Sequence, residues 1–429
     1  MRKDKSFILL ISLMIILYVV SFFYYESNKF EEIIIKCNHS AVSEIVKETD
    51  DGFIFGRMKL YKEGDVISGN LYVPCIEKYN DEGVLIWEKE FSYPIEAKSF
   101  NKLEVLKDNS IVLLMISNFN SHSKKSEIYK SYLLKCDKNG KEIWKKYFDN
   151  SLLGPSKLVI GDKGELYLIK KMSNDRSITI TKIRKDGDVV KEKSFDWGDI
   201  FFRRAMYNKA FGIVLITPCS AQIRNTTKPN EEFFEKDGII KCIDENLNLK
   251  WNSYDCYDGK MTIFDECIYA TKNNTLPDLS STSPSTLKIL DKNGNDIRKT
   301  NPRPYYLNDI ITLQDYDFVL SNNHSIIILN RNGDEILEHY YKEMCPKKII
   351  KTNDGGFFLM TCTGYMKMIP IKPMVSSIRL YYTECVVMKY DNQYRLEDHK
   401  TYNRYENVAL EDLIFPLSNG KIVIIKKIK

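Results

Sequence analysis

The chain of 429 residues has few histidines, and none of its cysteines or glycines is spaced for familiar site chemistry. The five histidines, His39, His122, His324, His339 and His399, never fall at H-x-H or H-x-x-x-H spacing. The ten cysteines, at 37, 75, 136, 219, 242, 256, 267, 345, 362 and 385, form no C-x-x-C and no pair at zinc-finger spacing with histidine. No G-x-S-x-G elbow and no Walker A loop occurs. The stretches "DKNGKE" and "DKNGND" are too short for an EF-hand and lack its bidentate glutamate. No catalytic, cofactor-binding or metal-binding residues are therefore predicted. The net charge of +5 is also small, and it offers no concentrated basic patch for nucleic acid.

Apolar residues make up 43% and charged residues 28%, enough to bury a sizeable core. Aromatics reach 12%, which favours strands over helices. Cys136, Cys242 and Cys385 sit in apolar, strand-like runs, where buried free thiols are common. Most cysteines are expected to be free and buried.

The first 30 residues differ in kind. Ser6–Tyr25 is 20 residues without a charge, the length of one membrane-spanning helix. It ends in Phe22, Phe23, Tyr24 and Tyr25, an interfacial aromatic belt rather than the small residues of a cleavage site. The basic Arg2, Lys3 and Lys5 belong on the cytoplasmic side. The sequence thus predicts a cytoplasmic tail at 1–5, an uncleaved signal-anchor helix at 6–25 and an extracytoplasmic domain at 26–429. The localisation that follows is the cell membrane, single-pass.

That domain is repetitive. The pattern D-x-x-G-x-x-x-W-x-x-x-F recurs with first positions 80, 137, 184, 244, 291, 330 and 391. The clearest copies carry Asn80, Gly83, Trp87 and Phe91, and Asp137, Gly140, Trp144 and Phe148. Others keep Gly187, Trp251, Gly294 or Gly333. Each copy reads as a hairpin: an apolar strand, a turn in which Asp bonds the backbone and Gly takes positive φ, then a returning strand. A separation of four places Trp and the following aromatic on one face, so that face is buried. Between the hairpins lie turn–strand elements such as "TDDGFIFGRM" and "TNDGGFFLMTC". Four strands recurring about every 52 residues signal a β-propeller. Eight blades are favoured, with seven as the alternative. The N-terminal "EEIIIK" falls where the second strand of a hairpin should be, and could close the ring by completing the last blade.

The repeat resembles those of bacterial exported or membrane-anchored β-propeller proteins. It is also similar to quinoprotein-like (PQQ-like) propeller repeats, in which a tryptophan locks neighbouring blades. The resemblance implies a structural role for Trp87, Trp144 and Trp251. Quinoprotein dehydrogenases hold their cofactor under adjacent cysteines, and this chain has no such pair, so no cofactor is expected.

With strands A to D named from the axis outward, the B–C connections vary in length while the C–D turns are tight. The extra sequence therefore accumulates on one face, where binding by a rigid scaffold usually resides. The blade 7 connection carries Tyr365, Met366, Met368, Arg379, Tyr381 and Tyr382, a composition suited to protein contact. The expected function is a membrane-tethered binding or scaffold module for a protein, peptide or glycan. The alternative is a propeller hydrolase or lyase with a dispersed site at the channel mouth. The sequence leans away from an enzyme and leaves the oligomeric state open.

Overall fold

A computed structural model describes residues 31–38, 45–62, 71–91, 100–117, 129–150, 157–171, 177–196, 204–217, 238–255, 257–264, 266–273, 285–300, 307–313, 318–322, 325–330, 334–341, 344–371, 375–403 and 414–428. The predicted tail at 1–5 and anchor helix at 6–25 lie outside these residues. Among the described residues no helix is long and apolar enough to cross a membrane.

Sheet 2 shows how the repeat folds. Its strands A to D are Phe100–Val105, Ile111–Ser117, Tyr129–Cys136 and Glu142–Asn150. Strand B is a continuous apolar run, Ile111 to Met115, and every one of those residues is buried. Such a run is expected where a strand is covered on both faces. Leu113 and Leu134 pack toward sheet 1, whereas Val112, Leu114 and Leu133 pack toward sheet 3.

The C–D turn explains the D-x-x-G pattern. Asp137 Oδ1 accepts from the backbone N–H of Asn139 (2.8 Å) and Lys141 (2.9 Å). Gly140 N–H donates to Asp137 O at 3.0 Å, with Gly140 at φ 77°. A left-handed residue after a tight turn creates a one-residue bulge. A register shift follows at the same place in each of these hairpins, from Lys78/Tyr79 and Lys135/Cys136 to Lys389/Tyr390. The lysine two residues before the turn Asp or Asn also has a physical role. Lys78 pairs with Asp51 (2.8 Å), Lys135 with Asp108 (3.9 Å) and Lys389 with Asp354 (3.2 Å). Each pair ties a C–D hairpin to the A–B turn of its own sheet, so both kinds of turn share one face. We call this the turn face, and the side of the B–C and D–A connections the loop face.

Among the described residues there are eight sheets. Seven are four-stranded, antiparallel and in sequence order. The innermost strands of successive sheets touch along the chain from sheet 1 to sheet 7. Sheet 8 consists of Ile414–Pro416, Ile422–Ile428 and the N-terminal strand Glu32–Asn38. Its apolar side packs on sheet 7 through Ile422, Ile424, Met360 and Cys385. Its other side packs on sheet 1 through Ile33, Ile35, Phe53 and Phe55. Ser418 Oγ also donates to Glu48 at 2.6 Å across that last junction. A closed succession of radial antiparallel sheets is a β-propeller.

The closing strand departs from the sequence expectation. Glu32–Asn38 does not stand as the returning strand of a hairpin. It lies third in sheet 8, directly beside Ile422–Ile428 and parallel to it, with Glu32↔Ile422 and Asn38↔Ile428. The hydrophobic alternation of "EEIIIK" specifies its faces and is silent on its direction.

Candidate functional site

The repeat tryptophans sit at the junctions between sheets. A side chain on Gly140 would meet Trp87, one on Gly187 would meet Trp144, and one on Gly294 would meet Trp251. Trp144 Nε1 donates to Lys185 O, and Trp251 Nε1 to Lys292 O, both at 2.9 Å. Each tryptophan thus seats its ring on the glycine of the next sheet's turn, and Trp144 and Trp251 also bond that turn's backbone. Trp87 Nε1 has no such partner among the described residues. Gly83 instead faces Ile33 of the closing strand. Gly333 lies outside the described residues.

Sequence reasoning missed the substitutes. At the next junction the tryptophan position is Lys191, which donates to Asn246 O at 2.6 Å. The facing glycine position is then Leu247, fully buried and left-handed at φ 59°. Between sheets 6 and 7 the pair is Leu337 and Tyr394, the latter at φ 64°, within one apolar cluster. At these two junctions the ring and the glycine are lost together, whereas the repeat with Arg298 at the tryptophan position is followed by one that keeps Gly333.

The segment carrying Tyr365, Met366, Met368, Arg379, Tyr381 and Tyr382 is not an irregular loop. Strands Phe357–Ile371 and Val375–Tyr390 run on beyond the body of sheet 7 as a two-stranded ribbon. The neighbouring strands stop at Cys362 and Glu384. The ribbon continues through Tyr365↔Tyr381, Lys367↔Arg379 and Met368↔Ile378 to Ile371↔Val375. A register shift at Thr363/Gly364 marks where it leaves the sheet. Outside the sheet both edges of the ribbon lack a strand neighbour among the described residues. Two strands alone are marginally stable in water, so such a ribbon gains by being covered. The apolar run with Pro370 and Gly364 hid this strand from pattern reading.

Two other groupings gather polar and titratable side chains. Cys75, Glu77 and Glu88 bring one thiol and two carboxylates together. Cations already occupy the space between them. Arg57 Nε donates to Glu77 at 2.6 Å, and Lys59 pairs with Glu88 at 3.2 Å. Tyr79 donates to the other Glu77 oxygen at 2.5 Å. Burial pushes the Cys75 thiol well above its ordinary value. This is a neutralised ion network that does not fit a metal.

On the turn face, a cavity of about 470 Å³ opens between the turns of sheets 1, 2, 7 and 8. Glu48, Asp50, Asp81, Lys107, Asn109 and Ser418 are among its lining residues. Its polar groups largely bond one another, with Asn109 donating to Asp50 at 2.8 Å and Asn419 to Asp81 at 3.3 Å. Neither His nor Arg lines it. Of the described histidines, His339 lies 3.3 Å from Tyr394 O and rests on Tyr390. The thiols of Cys136, Cys242 and Cys385 are buried in strands.

The fold and these surfaces define a β-propeller protein with a projecting ribbon. No protein-family model and no curated protein matches the chain. Solved propellers are similar in structure. The WD40 domain of Neurospora crassa Pan2 has 11% identity and a TM-score of 0.46, with 74% of this chain and 85% of that one covered. The Dos1 propeller has 11% identity and a TM-score of 0.46, covering 78% and 90%. The propeller domain of the Trilobed protease from Pyrococcus furiosus has 10% identity and a TM-score of 0.41, covering 72% and 97%.

Proposed function

We propose that the chain is a membrane-tethered, extracytoplasmic, eight-bladed β-propeller. In this reading it binds a protein, peptide or glycan through its loop face. The observation that carries this is the sheet 7 ribbon, which leaves the body of the fold with no strand neighbour at either edge among the described residues. A binding scaffold has a use for such an element, whereas a lone ribbon left uncovered costs stability and invites aggregation. The eight sheets support the blade count, and the uncharged run Ser6–Tyr25 supports the tether.

The test compares the full chain in membranes with a variant in which Tyr365–Thr383 is replaced by a short Gly/Ser link. Both serve as baits for cross-linking and affinity capture, after circular dichroism has established that both fold. A partner held by the parent and lost by the variant is the expected result. A partner held equally by both would move the site elsewhere, and none with either bait would sink the binding reading.

A further inference from the structure

The direction of the closing strand fixes which way the ribbon points. Glu31 lies at the turn face: its carbonyl accepts from Ile422 N–H at 3.0 Å, and its carboxylate pairs with Lys421 at 2.9 Å. Lys421 also donates to Asp81 O, in the C–D turn of sheet 1, at 2.8 Å. From there Glu32–Asn38 runs parallel to Ile422–Ile428, away from the turn face. The chain therefore reaches the propeller at its turn face. The ribbon, a B–C connection, leaves from the loop face.

On the anchored reading above, residues 26–30 join the membrane span to this point, at most about 18 Å of extended chain. A strand such as Ile422–Ile428 crosses the body in about 23 Å, and the ribbon from Gly364 to Ile371 adds about 26 Å beyond it. With the body upright on the membrane, the ribbon tip then stands farther from the turn face than the tether can compensate, and it points away from the chain's own lipids.

What the ribbon offers in that position narrows the partner. Its edges, which have no strand neighbour among the described residues, present backbone donors and acceptors at strand spacing, which an added strand can satisfy. Its described residues, 363–371 and 375–383, include Lys367 and Arg379 and no acidic residue. We propose that the ribbon is a strand-pairing arm, held away from the chain's own membrane, for an acidic extended polypeptide reached through solvent. This rests on the tethered binding module and adds the direction of approach and the chemistry of the partner.

The experiment uses the full chain reconstituted in vesicles. An alkaline wash first tests the tether, and release of the chain would overturn the anchored reading by itself. With the chain retained, a fluorophore is placed at Asn139 on the turn face or at Ser376 in the ribbon. Energy transfer to a headgroup-labelled lipid should be strong from Asn139 and weak from Ser376. The reverse order would overturn the orientation while leaving the tether intact.

The same vesicles are then titrated with labelled decapeptides of alternating Val and Glu or alternating Val and Lys. The acidic peptide should bind about tenfold tighter, the effect of a few exposed charge pairs. The double variant Lys367→Glu/Arg379→Glu should reverse that order. Equal binding of the two peptides, no binding of either, or a preference unmoved by the double variant would each overturn the arm.

Discussion

The junction between sheets 2 and 3 and the one between sheets 3 and 4 solve the same problem with opposite residues. At the first, Trp144 lies on Gly187 and bonds Lys185 O. At the second, Lys191 bonds Asn246 O and Leu247 fills the space over the turn. The large group has moved from one sheet to the next while the cross-sheet hydrogen bond is kept. Packing at these two junctions is therefore exchanged as a pair, since interiors tolerate volume exchange better than volume change.

The sharpest way to break this comparison is Gly187→Leu, which imports one half of the second solution into the first. Its Cβ would come within 2.8 Å of the Trp144 ring at a φ of 94°. Overpacking and a left-handed leucine together should cost about 3–5 kcal/mol. A denaturant midpoint equal to the parent's would refute the clash. Adding Trp144→Lys should restore part of the loss, because the pair then matches Lys191 and Leu247. Two losses that simply add would show that the junctions are not interchangeable.

Trp144→Ala should come next. Trp144 is half-buried, so about 3 kcal/mol is expected, the low end for losing a packed tryptophan. Lys191→Ala should cost only about 1 kcal/mol, the value of one hydrogen bond. Equal midpoints for the two variants would mean that the ring contributes no more than the ammonium does.

The closing junction extends the contrast. Ile33, on a parallel strand borrowed from the other end of the chain, covers Gly83 where other junctions use a repeat residue. It is buried among Phe53, Phe55 and Val423. Ile33→Ala should cost about 2–3 kcal/mol. In thermal unfolding followed by hydrogen exchange, sheet 8 should lose protection first. Protection lost first at sheet 2 would mean that closure is not the weak point.

These pairs show what could be read from one sequence. The turn signature was legible because each D-x-x-G carries its own chemistry within a few residues: Asp137 binds Asn139 and Lys141, and Gly140 turns the chain. Leu247 and Tyr394 were not legible as turn residues, because what permits them is the missing tryptophan of the preceding sheet. The direction of Glu32–Asn38 was hidden for a related reason. Its partner strand begins at Ile422, at the far end of the chain, and alternation is the same for parallel and antiparallel pairing. The ribbon was placed in the sequence but mistaken for a loop, because Gly364 and Pro370 read as breaks. The turn-face cavity joins residues as distant as Glu48 and Asn419, which no local pattern links.

The smallest expected effect compares two titrating groups of the repeat. The hydrogen bond from Lys78 holds the Asp51 carboxyl below its ordinary value of 3.8, while burial pushes the Cys136 thiol from 9.0 up to about 12. A lowered carboxyl contributes stability above its unfolded value, and that is lost as pH falls through the folded one. A raised thiol contributes fully below 9.0 and loses that contribution as pH rises toward 12. The melting temperature should therefore fall slightly on both sides, below about pH 4 and above about pH 9. Lys78→Met should flatten the acid limb and leave the alkaline one. Cys136→Ala should do the reverse, at some cost in midpoint from the lost sulfur. An acid limb unchanged by Lys78→Met would show that the lysine–aspartate tie, repeated at Lys135 and Lys389, orients the turns without stabilising them.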